Sequence, residues 1–179
     1  MKFITAYITY HKINNTMELN KALKIAHKLK DLLAPHCERI EIAGSIRRRK
    51  PEVKDIELVA IPKPYDVGLF ESGIATVINQ WKKVKGELPC KYTQRLLPEG
   101  IKLDLFFADE NNWGLIYAIR TGCAEYSHKV LANKWVSMGY KSIEGHLYQN
   151  EKKVSIREEK ELFDILGIPF LKPEFRNRY

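Results

Sequence analysis

Three carboxylates in this 179-residue chain are spaced as a set that could hold metal ions. Asp55 and Glu57 stand one residue apart in KDIELVAI, and Asp104 lies in IKLDLFFA. Side chains of a strand alternate between its two faces. Asp55 and Glu57 therefore share one face, about 7 Å apart at Cα, while Ile56 and Leu58 share the other. A strand over 100–107 lying beside one over 54–61 would bring Asp104 to the same face. Three like charges packed together raise one another's pKa unless something positive sits among them. Two divalent ions about 4 Å apart answer that need, and can clamp both the attacking and the leaving oxygen of an in-line phosphoryl displacement. Mg²⁺ suits such a site, with a few carboxylates and the rest of its shell from phosphate oxygens and water.

Alone, Asp-x-Glu is more often the solvent side of an amphipathic strand. Its weight comes from Gly44-Ser45, which precedes Asp55 in AGSIRRRKPEVKDIEL. A Gly-Ser turn between a strand and a helix start exposes backbone N–H groups to phosphate oxygens. Arg47, Arg48 and Arg49 add charge beside it, and one aimed inward would bind phosphate bidentately.

The elements that must position these groups can be read from periodicity. Leu19, Leu23, Ala26, Leu29 and Leu33 recur at helical steps, predicting a helix over 17–34 with Thr16 as N-cap and Pro35 beyond its end. Lys21, Lys24 and Lys28 line another face of it. Strands are predicted over 38–43 and 54–61, a helix over 66–82, and a strand pair over 91–97 and 100–107 that turns at Pro98-Glu99-Gly100. After Asp109 come helices over 112–120 and 123–138 broken at Thr121-Gly122, a hairpin over 140–156, and a helix over 158–166 ending at Gly167. The fold class is α/β (α+β). The predicted domains are 1–108, built on a mixed sheet, and 109–179, helical with a β-hairpin.

Composition narrows the function classes. Hydrophobic residues make up 45% and charged residues 29%, which excludes disorder. No apolar run is long enough to span a membrane, and the first residues lack the pattern of a secretion signal. Cys37, Cys90 and Cys123 are scattered and odd in number, which argues against a disulfide framework or a zinc site and for a reducing cytoplasm. The net charge is +8. Up to Ala108 there are 19 Lys and Arg against 12 Asp and Glu, and beyond it 11 against 10. The excess lies in the half that holds the carboxylates. Trp81, Trp113 and Trp135 read as core, His36 and His128 lack a metal-spaced partner, and Cys123 reads as a small packing residue.

GSIRRRKPEVKDIEL, then KLDLF, RTGCAEYSHKVLANKWVSMGY and EKELFDILGIPFLKPEFRN together resemble the family X DNA polymerases, the group of DNA polymerase β. The resemblance runs from about Lys12 onward. It implies a nucleotidyltransferase palm (1–108) and a thumb (109–179) that binds nucleotide and nascent base pair. Asp55 and Glu57 would bridge two Mg²⁺ ions, for which Mn²⁺ would substitute. Asp104 would bind the catalytic ion and help deprotonate the primer 3′-hydroxyl. Gly44, Ser45 and Arg48 would hold the triphosphate, and Lys12 is a looser match to another triphosphate contact. Thr121 and Gly122 would form the turn beneath the sugar, which allows a cis peptide into Cys123. Ser127 lies at a position that reads the nascent pair. Lys102 stands near the primer terminus, and Lys129 and Lys134 are further DNA-contact candidates. The implied function is DNA-directed polymerisation of dNTPs in short-gap filling or repair, on primer-template or gapped DNA, by a monomer with no membrane partner. Compact relatives occur in viruses, which implies a viral or phage role in the host cytoplasm.

This chain departs from the family pattern at several positions. Glu57 stands where Asp is usual. Ile119 and Arg120 replace aromatics, which bears on discrimination against ribonucleotides. Ser127 and Leu131 replace an Asn and an Arg that read the pair and template from the minor groove. The core is expected to act without the family's lyase and helix-hairpin-helix regions. Weak, distributive binding is therefore expected, with log K falling against log salt at a slope of about −4 to −5 for about five phosphates neutralised. Two other readings stay open. One is a template-independent nucleotidyltransferase acting on nucleic-acid ends or a small molecule. The other is a non-enzymatic DNA-binding module, which the three acids disfavour because unneutralised carboxylates oppose a polyanion.

Overall fold

The computed structural model describes residues 16–64 and 73–178. The open role of residues 1–11, the Lys12 assignment and the first part of the predicted 66–82 helix lie outside the described residues.

Helix α1 (Leu19–Leu33) follows a two-residue strand, β1 (Met17–Glu18), that pairs with β3 (Glu52–Val53). Its N-cap is Glu18 and not Thr16. The Glu18 carboxylate accepts from the Asn20 and Lys21 N–H groups, while the Thr16 hydroxyl donates to Glu52. Ala22, Ala26, Leu29 and Leu33 form its buried stripe.

Strands β2 (Cys37–Ile42), β4 (Asp55–Pro62), β5 (Lys82–Lys85), β6 (Tyr92–Leu96) and β7 (Lys102–Phe107) form one mixed sheet, ordered β2-β4-β7-β6-β5. Only β4 and β7 run parallel; the other pairs are antiparallel. The helix predicted over 66–82 is, among the described residues, α3 (Ile74–Ile78), and Lys82 already belongs to the edge strand β5. Its exposed lysines make a good edge, because charge blunts pairing with other chains. One sheet face, with Ile56, Leu58, Leu103 and Leu105, packs under α1 and α3. The other face carries the acids at one end. At the other end Val59, Phe106 and Ala108 are covered by Trp113.

Trp113 opens α4 (Trp113–Thr121), whose later residues Leu115 and Ala118 enter a second core with Leu131, Trp135, Leu147, Phe163 and Leu166. After Gly122 a helical run comprises α5 (Ala124–Tyr126), a π-helical segment (Ser127–Ala132) and α6 (Asn133–Ser137). The hairpin expected over 140–156 is a three-stranded antiparallel sheet of β8 (Lys141–Ile143), β9 (His146–Gln149) and β10 (Lys152–Val154). Helix α7 (Glu159–Leu166) starts with the Glu158 N–H donating to Glu161 and stops at Gly167, whose φ of 62° is the left-handed conformation of a helix C-terminus. Helix α4 approaches its start so closely that a Cβ at Gly114 would lie 2.9 Å from the Glu159 nitrogen. Trp113 and Trp135 are core, and Trp81 packs against the core between the sheet and α1.

Candidate active site

The parallel β4–β7 register places Asp55 beside Lys102 and Glu57 beside Asp104. All three acids therefore stand on one face, by strand alternation and one long-range pairing. They feel one another. Burial, then the charge of Asp104, raises the Asp55 carboxyl above its ordinary value. Burial, then Asp55, lifts Glu57 to about 7, against the opposing pull of Arg48.

Asp104 is the most constrained. Its Oδ1 accepts from the Tyr92 hydroxyl at 2.9 Å and from Gln94 Nε2 at 2.6 Å. Both donors come from β6, where Gln94 lies opposite Asp104 and Tyr92 opposite Phe106. Burial, then that hydrogen bond, keeps the Tyr92 phenol protonated well above its ordinary pKa. The Tyr92 and Phe106 rings stack with centroids 4.9 Å apart, and the Arg120 guanidinium lies 4.0 Å from the Phe106 centroid. Arg120, at the position where the family resemblance expects an aromatic residue, thus brings a positive charge toward Glu57 and Asp104.

The Gly44-Ser45 bend opens α2 (Gly44–Arg47) directly above Glu57. Gly44 has φ of 60°, and the space its Cβ would take is filled by the Glu57 carboxylate. The Ser45 Oγ is buried without a hydrogen-bond partner. Arg48 Nη1 donates to the Thr121 carbonyl at 2.6 Å and Nε to Asn177 Oδ1 at 3.0 Å. Arg47 donates to Thr121 Oγ1 at 2.5 Å and, through both terminal nitrogens, to Glu159 at 2.8 Å. Arg49 is exposed and pairs with Glu174. All three arginines therefore tie the bend to the C-terminal part of the chain.

Thr121 is buried beside these arginines. The peptide into Cys123 is trans; among the described residues the cis bond is Leu88-Pro89. A cis bond without proline costs about 3 kcal/mol, and here the Cys123 N–H is satisfied in the trans form by the Arg176 carbonyl. Gly122 leaves room for the Ser127 Oγ, 2.5 Å from where its Cβ would be. That hydroxyl donates to the Ile119 carbonyl at 2.8 Å, so it is taken up within the helices. Leu131 is wholly buried in the second core. Lys102 is exposed beside Asp55. Lys129, paired with Glu125, and Lys134 are exposed on the helical run after Gly122.

Among the described residues, no three His, Cys, Asp or Glu side chains form a ready metal cage. Glu57 folds against Gly44, and Tyr92 and Gln94 hold Asp104. The donor set still fits Mg²⁺, which takes hard oxygens from few carboxylates and completes its shell with phosphate and water. The unpartnered Ser45 Oγ beside it fits a phosphate oxygen.

Residues 120–177 match the family model of the DNA polymerase beta thumb. Over those residues the chain is similar to that thumb. The structure of Leishmania infantum polymerase beta in a ternary P/T complex superposes with a TM-score of 0.70 at 18% identity, over 92% of this chain and 78% of that one. Its ternary gap complex gives 0.70 and 18%, over 92% and 71%. That likeness shows the fold. Comparison with curated protein sequences finds no match. The match begins at Arg120, within α4, so the helix that covers the sheet also carries the first matched residues. No described helix is long and apolar enough to cross a membrane.

Proposed function

We propose that this chain is a DNA-directed DNA polymerase of the family X type, with a palm over 1–108 and a thumb over 109–179. The observation that carries this reading is the Glu57–Asp104 pairing beneath the Gly44-Ser45 bend, on a chain whose thumb matches that of polymerase β. Asp55, Glu57 and Asp104 would hold two Mg²⁺ ions, which would supply positive charge against the phosphates and the primer hydroxyl. Ser45 and the backbone N–H groups of the bend bind the triphosphate. Arg48, already over the site, turns from Thr121 and Asn177 to the phosphates. The primer 3′-oxygen bonds to the α-phosphorus, its proton passes to Asp104 or solvent, and the bond to pyrophosphate breaks. Catalysis is positioning and charge stabilisation.

The substrate is primer-template or gapped DNA with a dNTP, in repair. Lys82, Lys85 and Lys102 support this, since their register partners place them on the face that carries the acids. Mg²⁺-dependent primer extension on gapped, nicked and single-stranded DNA tests the reading. Template-matched incorporation, abolished by Asp104→Ala, is expected. Incorporation that Asp104→Ala leaves unchanged would remove the assignment.

A second reading is template-independent nucleotidyl transfer. It is favoured by the burial of Leu131 and the engagement of Ser127 with Ile119, which leave no free donor where the family reads the base pair. Equal use of all four nucleotides on single strands would select it.

A further inference from the structure

Asp104 is gripped by one oxygen only. Tyr92 and Gln94 both donate to Oδ1, and among the described residues no hydrogen bond reaches Oδ2. Two donors on one oxygen fix the plane of a carboxylate, because rotation about its Cβ–Cγ bond would break both bonds. The donors are themselves held. Gln94 is buried on β6, opposite Asp104 in the sheet. Tyr92 is clamped by its stack on Phe106, whose ring also lies against Arg120 from α4. Neither Tyr92 nor Gln94 bears a charge that would repel a cation or attract one.

We propose that Tyr92 and Gln94 are positioning residues for nucleotidyl transfer, which turn Asp104 so that Oδ2 is the oxygen offered to the metal and the primer hydroxyl. This rests on the polymerase reading of the same site. An unheld carboxylate would swing between orientations, and partners in this outer position typically matter 10- to 100-fold for metal affinity or activity. The Phe106–Arg120 contact makes the arrangement depend on where α4 sits, so Asp104 is aligned only while the thumb helix rests on the sheet.

The test uses Tyr92→Phe, Gln94→Leu and the double variant in the full chain. Tyr92→Phe keeps the aromatic stack and removes only the donor. Mn²⁺ affinity of the protein alone is read by electron paramagnetic resonance, kcat and KM for dNTP by primer extension, and folding by thermal melting. The double variant should bind Mn²⁺ about tenfold more weakly and lose about 10- to 100-fold in kcat, with KM for dNTP unchanged. Each single variant, with one donor left, should fall between. A double variant that melts like the parent and keeps parental Mn²⁺ affinity and kcat overturns the proposal. If Asp104→Ala destroys Mn²⁺ binding while the double variant does not, the positioning role fails and the metal site stands. If Asp104→Ala leaves Mn²⁺ binding intact, the metal reading fails and takes this proposal with it.

Discussion

A Cβ added at Gly44 would lie 2.5 Å from the Cδ of Glu57, inside its carboxylate. Gly44 is therefore a glycine for two reasons at once: its φ of 60°, and the space it cedes to an acid of the site. Gly44→Ala should force Glu57 aside and strain the bend. The expected result is a modest destabilisation of about 1–3 kcal/mol. Primer extension should fall by about 100-fold, since small displacements of catalytic groups cost that much. Denaturation midpoints and kcat separate the two effects.

Glu159 is sandwiched between Arg47 and the fully buried Arg176, at 2.8 and 2.6 Å. Burial works against its charge, but hydrogen bonds from both arginines outweigh that and hold its carboxyl below the ordinary value of 4.5. Glu159→Gln should cost about 3 kcal/mol, because it leaves buried guanidinium charge unpaired. A carboxyl with a depressed folded pKa stabilises above its unfolded value and loses that contribution as pH falls through the folded one. Parental stability should therefore drop on acidification below about pH 5. The Glu159→Gln variant should show a flatter curve there, measured by urea denaturation across pH.

The rows Lys85–Gln94–Asp104–Glu57 and Lys82–Leu96–Lys102–Asp55 cross the sheet on one face. Lys83, opposite Arg95, takes the other face and pairs with Glu87. If DNA lies over the acids, Lys82→Ala and Lys85→Ala should each lower the slope of log K against log salt by about 1, whatever the DNA sequence. Lys83→Ala should leave the slope as it was. Equal effects from all three would show that the edge strand acts only through overall charge.

Burial raises the Cys37 thiol to about 11, with Lys63 opposing. It should therefore resist thiol reagents at pH 8 in the native protein and react once urea unfolds it. Rapid native labelling of Cys37, located by mass spectrometry, would contradict its place in the core.

Much of this site was legible in the chain. The alternation of KDIELVAI puts Asp55 and Glu57 together, and the Pro98–Gly100 turn, taken as the centre of a hairpin, sets Gln94 opposite Asp104. Tyr92 and Gln94 could have been found from that register, yet neither residue type advertises a role. The β5 strand was hidden because KKVK is short and charged and follows an apolar helical stretch; sheet membership there comes from pairing with β6. The third strand after the 140–149 hairpin was hidden for the same reason.

By itself the sequence determined what repeats locally: which side chains share a strand face, where Gly44 and Gly167 must bend the chain, and which helix face is apolar. These follow from backbone sterics and from periods of 2 and 3.6. Only the tertiary structure decided that β4 and β7 lie side by side, that Glu57 folds beneath Gly44, and that Arg47 and Arg48 reach across to the C-terminal part of the chain. Those are contacts between residues 13 to 129 positions apart. They are settled by how two hydrophobic cores close against each other, which no local pattern encodes.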